Sequence, residues 1–300
     1  TRDAVLGLEV VMADGRITRM GRRTIKGVAG YDLTGLMVGS EGTLGIVTMA
    51  RLRLRPLPLP PSTAVAVFAD IGDAGRAVSA IMQELTPSML EIMDNASIKA
   101  VEGWQRMGLD TTAGALLIAQ FDSGAQASAA DASAFVRHCE AHNAHEAYLS
   151  EDPTEAQMLV MARRLVIPAL ESTGDWLLDD VAVPRSALAQ AMLDIEVVAQ
   201  RNDVIIATFG HAGDGNLHPT IVTPRGDLDA AARAMVAFNE ILEVARVHGG
   251  TVTGEHGIGS LKNAALFAEL DAVQRDLHTR IKAAFDPLGI LNPGKALPRW

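Results

Sequence analysis

Four prolines in six residues, Pro56-Leu57-Pro58-Leu59-Pro60-Pro61, divide this chain. Each proline lacks a backbone N–H and fixes φ, so no helix interior or central strand can run through the segment. Such a run is extended and semi-rigid. It sets a domain boundary, with residues 1–57 before it and a much longer stretch from residue 62 onward.

The two sides carry different patterns. Residues 1–55 read as β-rich. Val5–Met12 and Arg16–Met20 flank Ala13-Asp14-Gly15, a hairpin with an Asp-Gly turn. Arg51-Leu52-Arg53-Leu54-Arg55 alternates, arginines on one face and leucines on the other, and reads as a strand with a solvated face. From residue 62 strands and helices alternate. Strands are expected at 64–69, 89–93, 115–121 and 176–183, and helices at 73–85 (capped by Asp73), 125–142, 154–170 and 186–201. Asp227 caps a further helix whose Leu228, Ala231, Met235, Phe238, Leu242 and Ala245 form one apolar stripe, ended by Gly249. This order predicts an α+β fold, with helices laid on a mainly antiparallel sheet from 62 to about 265. A last amphipathic helix, 270–285, lies in a tail of residues 266–300.

Two glycine-rich segments concentrate the chemistry. Gly210-His211-Ala212-Gly213-Asp214-Gly215-Asn216-Leu217-His218 lies between two apolar strands, 204–209 and 217–222. Asp214-Gly215 sits at its midpoint as a two-residue hairpin turn. A fold there makes His211 and His218 cross-strand partners, with Cβ atoms about 5 Å apart. Both rings then reach one metal ion at about 2.0–2.1 Å. Gly254-Glu255-His256-Gly257-Ile258-Gly259 supplies Glu255 as third ligand. Three protein ligands leave coordination positions open, as in catalytic metal sites. Mixed nitrogen and oxygen donors suit zinc, manganese or iron. His256, beside the ligand, suits a proton acceptor. The ordinary alternative for either histidine alone is a polar loop residue or a satisfied core histidine.

Composition narrows the class. The 300 residues carry a net charge of −10 without a long basic run, which argues against nucleic acid as a partner. Cys139 is the single cysteine, so no disulfide forms within the chain. The expected compartment is reducing: cytoplasmic, with a peripheral position at the inner membrane face as a variant. The first residue is Thr1, in an opening that reads as mid-strand, and an N-terminal portion is expected upstream.

Four blocks together carry a family resemblance. They are Lys26-Gly27-Val28-Ala29-Gly30-Tyr31-Asp32-Leu33 running into Val38-Gly39-Ser40-Glu41-Gly42-Thr43-Leu44-Gly45-Ile46-Val47-Thr48, then 210–218, 254–259, and Asn292-Pro293-Gly294-Lys295. The chain resembles an FAD-linked oxidase of the vanillyl-alcohol-oxidase type, and within it the D-lactate dehydrogenase and glycolate oxidase flavoprotein subunit group. The resemblance implies that residues 1–57 end the FAD-binding domain, 62–265 form the substrate or cap domain, and 266–300 return to the flavin. It implies FAD contacts from Gly39, Glu41, Gly42, Gly45, Ile46 and Asn292. Glycines there let backbone approach a flat ligand. The family's pyrophosphate-binding loops lie upstream of Thr1.

The implied reaction is oxidation of a D-2-hydroxy acid to a 2-oxo acid. The metal on His211, His218 and Glu255 binds the hydroxyl, His256 takes its proton, and hydride leaves for the flavin. Arg163 matches the family's carboxylate clamp, with Arg164 as competitor and a surface salt bridge as the ordinary alternative for each. Relatives acting on dicarboxylates carry lysine where this chain has Leu178, which favours lactate or glycolate. The electron acceptor expected is a quinone, cytochrome or electron-transfer protein, and a homodimer is one assembly the sequence allows. Two other classes remain open: a metal-dependent hydrolase built on the same His-His-Glu set, and a non-catalytic, partner-binding chain without flavin.

Overall fold

The computed structural model describes residues 2–296. The chain divides into two compact units, Thr1–Leu57 with Glu255–Trp300, and Pro58–Gly254.

The smaller unit begins with β1 (Val5–Val11), β2 (Ile17–Gly21), α1 (Leu33–Met37) and β3 (Ile46–Leu52). The strands form an antiparallel sheet in the order β2-β1-β3. The Asp14-Gly15 turn is present, with the Asp14 carboxylate accepting the Arg16 N–H at 3.0 Å. The Arg-Leu alternation after it does not continue the sheet. β3 stops at Leu52, and Leu54 is 89% exposed, with no described element covering it before the prolines begin.

The larger unit runs β4 (Ser62–Phe68), α2 (Ile71–Glu84), β5 (Met89–Asp94), α3 (Asn95–Trp104), β6 (Ala115–Phe121), α4 (Ala125–Ala141) and β7 (Ala144–Ser150). It continues with α5 (Pro153–Arg164), α6 (Val166–Thr173), β8 (Asp175–Leu178), β9 (Val181–Ala182), α7 (Leu188–Asn202), β10 (Ile205–His211), β11 (Asn216–Thr223) and α8 (Leu228–Val247). Its eight strands form one sheet, β7-β4-β6-β5-β10-β11-β8, with β9 also on β11. Every pairing is antiparallel. The class is therefore α+β, with helices on a mainly antiparallel sheet.

Helices lie on both faces, and that explains the unbroken apolar run of β4, buried from Thr63 to Phe68. On one face Val65, Val67, Met93, Leu116, Ile118 and Phe209 pack with α3, α5 and α6. On the other, Phe121 meets Phe135 of α4 edge-on, centroids 6.4 Å apart. The functional side chains described below stand on the first face.

Several local expectations shift for identifiable reasons. The cap of α2 is Asp70, whose side chain accepts the Asp73 N–H. The helix expected over 154–170 breaks at Leu165 into α5 and α6. Pro168 cannot donate to the carbonyl of Arg164, and its ring crowds that group. The strand expected over 176–183 is interrupted at Asp179-Asp180, opposite Pro219, which has no N–H for the ladder. On α8 the cap is Asp227, as the pattern implies. Its buried face is Ala230, Ala234, Ala237, Phe238, Ile241, Leu242 and Ala245, while Leu228 is 83% exposed. Ala231 and Met235 of the expected stripe are also exposed, and Ala234 and Ala237 take their place on the buried face.

The second segment of the smaller unit holds α9 (Asn263–Glu269) and α10 (Ala272–Phe285). Ile281 and Phe285 of α10 pack on the core made by Leu8, Val10, Met37 and Leu44. Among the described residues no helix is long and apolar enough to cross a membrane.

Candidate functional site

The histidine hairpin forms, with its register offset from the expected one. His211 pairs with Asn216, and His218 pairs with Phe209. The turn is a short 3-10 segment, Ala212–Asp214, closed by Gly215 at φ +73°. Direct opposition of His211 and His218 is thus replaced by a diagonal relation. The offset is two residues in the pairing, so both rings stay on one face; an odd offset would have separated them. The ring centroids are 5.3 Å apart and the planes nearly perpendicular at 88°.

The sheet extends each histidine into a row. Glu91 of β5 stands across from His211, and Met93 across from Phe209. The β8 and β9 pairings with β11 share one register, which places Asp180 across from His218. One row is therefore Glu91, His211, Asn216; the next is Met93, Phe209, His218, Asp180.

Both carboxylates are buried among polar partners. Glu91 Oε1 lies 2.6 Å from His211 Nδ1, and its Oε2 accepts Arg163 Nε–H at 2.8 Å. The Arg163 guanidinium also lies over the Phe209 ring, 4.5 Å from the centroid. Arg163, in the last turn of α5, has its side chain turned inward, 14% exposed, while Arg164 faces solvent. Asp180 Oδ1 lies 3.7 Å from His218 Nδ1 and accepts Asn216 Nδ2–H at 2.7 Å. Its Oδ2 accepts the Thr253 hydroxyl at 2.8 Å and the Gly254 N–H at 2.9 Å. Gly254 packs so tightly on the Asn216 amide that any side chain there would collide with it. Gly254 is thus pinned beside Asn216 and Asp180.

Asp94, at the other end of β5, is pushed up to about 6 by burial, against hydrogen bonds that favour its ionised form. Its oxygens accept the Ser97 N–H at 2.7 Å and the Thr208 N–H at 2.6 Å. It caps α3 and ties it to β10, and it points away from the histidine face.

The remaining predicted residues belong to the smaller unit. Glu255 and His256 open its second segment, with a carboxylate oxygen of the first 3.9 Å from Nε2 of the second and both side chains about half exposed. Gly39 and Gly42 both adopt positive φ, +84° and +70°. Glu41, itself at φ +52°, directs its carboxylate at the N–H groups of Ile258 and Gly259, at 2.7 and 2.9 Å. The Asn292 side chain donates to the Glu41 carbonyl at 2.5 Å, which draws the 39–45 loop and residue 292 together. Gly45 packs against Val10, and Ile46 begins β3 with 56% exposure. Lys282 donates to the carbonyls of Thr43 and Leu291, at 2.8 and 2.9 Å, and to Asp286. A cavity of about 320 Å³ lies in this unit, lined by Gly39, Ser40, Glu41, Thr43, Ile258 and Ile281 among others.

Glu91, Asp180 and Asn216 are the residues that sequence reasoning passed over. A signal exists for the first two: Glu91 interrupts the apolar run Met89-Leu90-Glu91-Ile92-Met93, and Asp179-Asp180 sits between Leu178 and Val181. Charge inside a strand buried on both faces requires a partner.

A mainly antiparallel sheet bearing paired imidazoles in one unit, and glycine-rich loops in the other, define an α+β protein. Comparison with known proteins gives the class its family. Residues 58–296 match the family of FAD linked oxidases, C-terminal domain, and the chain belongs to that family. It is 42% identical over 297 residues to the glycolate oxidase subunit GlcD of Bacillus subtilis, covering 98% of this chain and 63% of that protein. It is 31% identical to the mitochondrial D-lactate dehydrogenase [cytochrome] of Arabidopsis thaliana, covering 99% of this chain and 53% of that one. The chain thus spans roughly three fifths of the length of such relatives. Among solved structures, substrate-bound p-cresol methylhydroxylase matches with a TM-score of 0.75 over 98% of this chain and 65% of that chain, at 16% identity. At that identity the likeness concerns the fold. The resemblance carried by the four sequence blocks is borne out at the level of the family.

Proposed function

We propose that this chain serves in the FAD-dependent, metal-assisted oxidation of a small D-2-hydroxy acid, D-lactate or glycolate, to the 2-oxo acid. The observation that carries the reading is the side-by-side placement of His211 and His218, with Arg163 joined to the same cluster through Glu91.

The donor set fits a divalent cation. Two imidazoles share one face, and the nitrogen of His211 turned to Glu91 is Nδ1, so Nε2 is the atom turned toward a ligand. A carboxylate behind a ligating histidine is the usual outer support of such sites. Glu255, one bond beyond the pinned Gly254, completes the proposed set with His211 and His218. Nitrogen and oxygen donors suit zinc, manganese or iron. The glycine loop at 39–45 and Asn292 suit a flat ligand approached by backbone; the Glu41 carboxylate acts there by ordering residues 258 and 259.

When bound, the flavin supplies an acceptor for hydride from the α-carbon, and the cation supplies Lewis acidity that favours ionisation of the substrate hydroxyl. The chain's own residues do the rest. Arg163 holds the substrate carboxylate by charge-assisted hydrogen bonds. Its contacts with Glu91 and Phe209 fix the guanidinium plane before substrate arrives, so little side-chain entropy is lost on binding. His256 accepts the hydroxyl proton at an imidazole nitrogen. Phe209 and Met93 exclude water from the floor of the cluster. Leu178, packed in the apolar layer beside this face, offers no second cation, which fits a monocarboxylate. Electrons leave to a quinone, cytochrome or electron-transfer protein.

Dye reduction by D-lactate and glycolate, with FAD and each candidate metal supplied, tests the reading. Turnover that His211→Ala abolishes supports it. Flavin reduction unaffected by His211→Ala and by chelation contradicts it.

A further inference from the structure

Glu91 touches neither the substrate nor the reacting atoms in the reaction just proposed, yet its carboxylate joins two of the groups assigned to it. It is 6% exposed in a strand whose other five residues are all apolar except the capping Asp94. An unpaired carboxylate buried there would be destabilising by several kcal/mol. The structure gives it two partners from elements far apart in sequence: Arg163 at the end of α5 and His211 at the end of β10. The pairing with His211 is enforced by the sheet, because the two residues face each other in the β5–β10 register.

Two consequences follow from the chemistry of the groups. A carboxylate oxygen only accepts hydrogen bonds. At 2.6 Å, His211 Nδ1 therefore carries the hydrogen, and Nε2 is the nitrogen with a lone pair to offer. Likewise the Arg163 Nε–H is committed to Glu91, which turns the Nη edge of the guanidinium away from that carboxylate. One side chain thus sets the tautomer of a proposed metal ligand and the orientation of a proposed substrate clamp.

We infer that Glu91 is a positioning residue that couples the two halves of the substrate site: its carboxylate orients His211 for ligation through Nε2 and holds Arg163 at a fixed place relative to that imidazole. The inference rests on the metal-assisted reading above and deepens it. A simpler role, tying α5 to the sheet, predicts a change in stability alone. The positioning role predicts changes in metal affinity and in imidazole tautomer.

The test uses the 300-residue chain. Zinc is titrated calorimetrically into wild type, Glu91→Gln and His211→Ala, with folding checked by circular dichroism. Glutamine keeps the shape and offers one accepting oxygen to two donors. The expected result is zinc affinity about 10–100-fold weaker in Glu91→Gln, the range for loss of an outer partner, and larger loss in His211→Ala. Glu91→Met, which offers no acceptor, should be weaker still; if it fails to fold, Glu91→Gln decides. Long-range ¹⁵N–¹H spectra of the metal-free chain should show His211 as the Nδ1–H tautomer in wild type and a mixture in Glu91→Gln. Zinc affinity and tautomer both unchanged in a folded Glu91→Gln would overturn the inference. Wild type that binds no zinc, or His211→Ala that binds it equally, sinks the parent reading; the tautomer spectra then judge the role of Glu91 by themselves.

Discussion

The two units organise polar groups by opposite means. In the larger unit, side chains do the work and strand register places them. Glu91, His211 and Asn216 form one row across three strands, and His218 and Asp180 belong to the next. In the smaller unit, backbone groups are the objects arranged. Glu41 receives two N–H groups, Asn292 reaches a carbonyl, and Lys282 reaches two more. A sheet can hold a particular side chain to within a fraction of an ångström because its neighbours are fixed by the ladder. A loop built from glycines can hold backbone close to a flat ligand but needs a few long polar side chains to define it. Substitutions in the strand-borne cluster around His211 should therefore alter chemistry with the fold intact, and those in the loop network around Glu41 should alter stability.

The largest effect expected lies in the chemistry itself. His256→Ala should lower turnover by about 10²–10⁴-fold, the usual contribution of a general base, with metal content by mass spectrometry unchanged. Loss of metal alongside turnover would assign His256 to ligation instead.

Next comes a pH effect confined to the larger unit. Burial raises the Asp94 carboxyl from 3.8 to about 6. The folded state then binds the extra proton between those values, so stability falls as pH rises through that window and stays lower above it. The wild type should lose up to about 3 kcal/mol from this group between pH 4 and 6. Asp94→Asn should remove that component of the slope, seen as the difference between the two proteins in urea unfolding. Parallel pH profiles would contradict it.

Arg163→Lys keeps the charge but loses the planar fork and the stacking on Phe209. KM for the hydroxy acid should rise by about 10–100-fold with a smaller change in kcat, in line with the loss of charge-assisted hydrogen bonds. Arg164→Lys, at an exposed position, should match wild type in steady-state kinetics. The smallest effect is expected in the Glu41 loop network of the smaller unit. Glu41→Gln leaves one accepting oxygen for two N–H groups and should destabilise that unit by about 1–2 kcal/mol. A lowered first transition on thermal unfolding, with zinc affinity unchanged, would sharpen the contrast; altered zinc affinity would break it.

Much of this was legible in the sequence, for physical reasons that also mark where legibility ended. Apolar runs bounded by caps located the strands at 62–68, 89–94 and 115–121, since their signals are local. The Asp14-Gly15 hairpin and the Asp227 cap were readable for the same reason. The histidine turn was located, but its register was displaced by two because a 3-10 turn absorbed residues 212–214. No local rule chose between those turns. The shared face of His211 and His218 survived because an even offset preserves it. Glu91 and Asp180 were marked in the sequence only as charges within apolar runs, and their partners were not legible. Their partners lie 120 positions away for Glu91 and His211, and the strand order that unites them is a property of the whole sheet. The interruption at Asp179-Asp180 required knowing that Pro219 would lie opposite.

The most direct check is an anomalous difference map from crystals of the chain grown with zinc and measured at the zinc edge. The account predicts a single strong peak beside Nε2 of His211 and within bonding distance of the His218 ring. Full zinc loading with density elsewhere, and none between those two imidazoles, would contradict it.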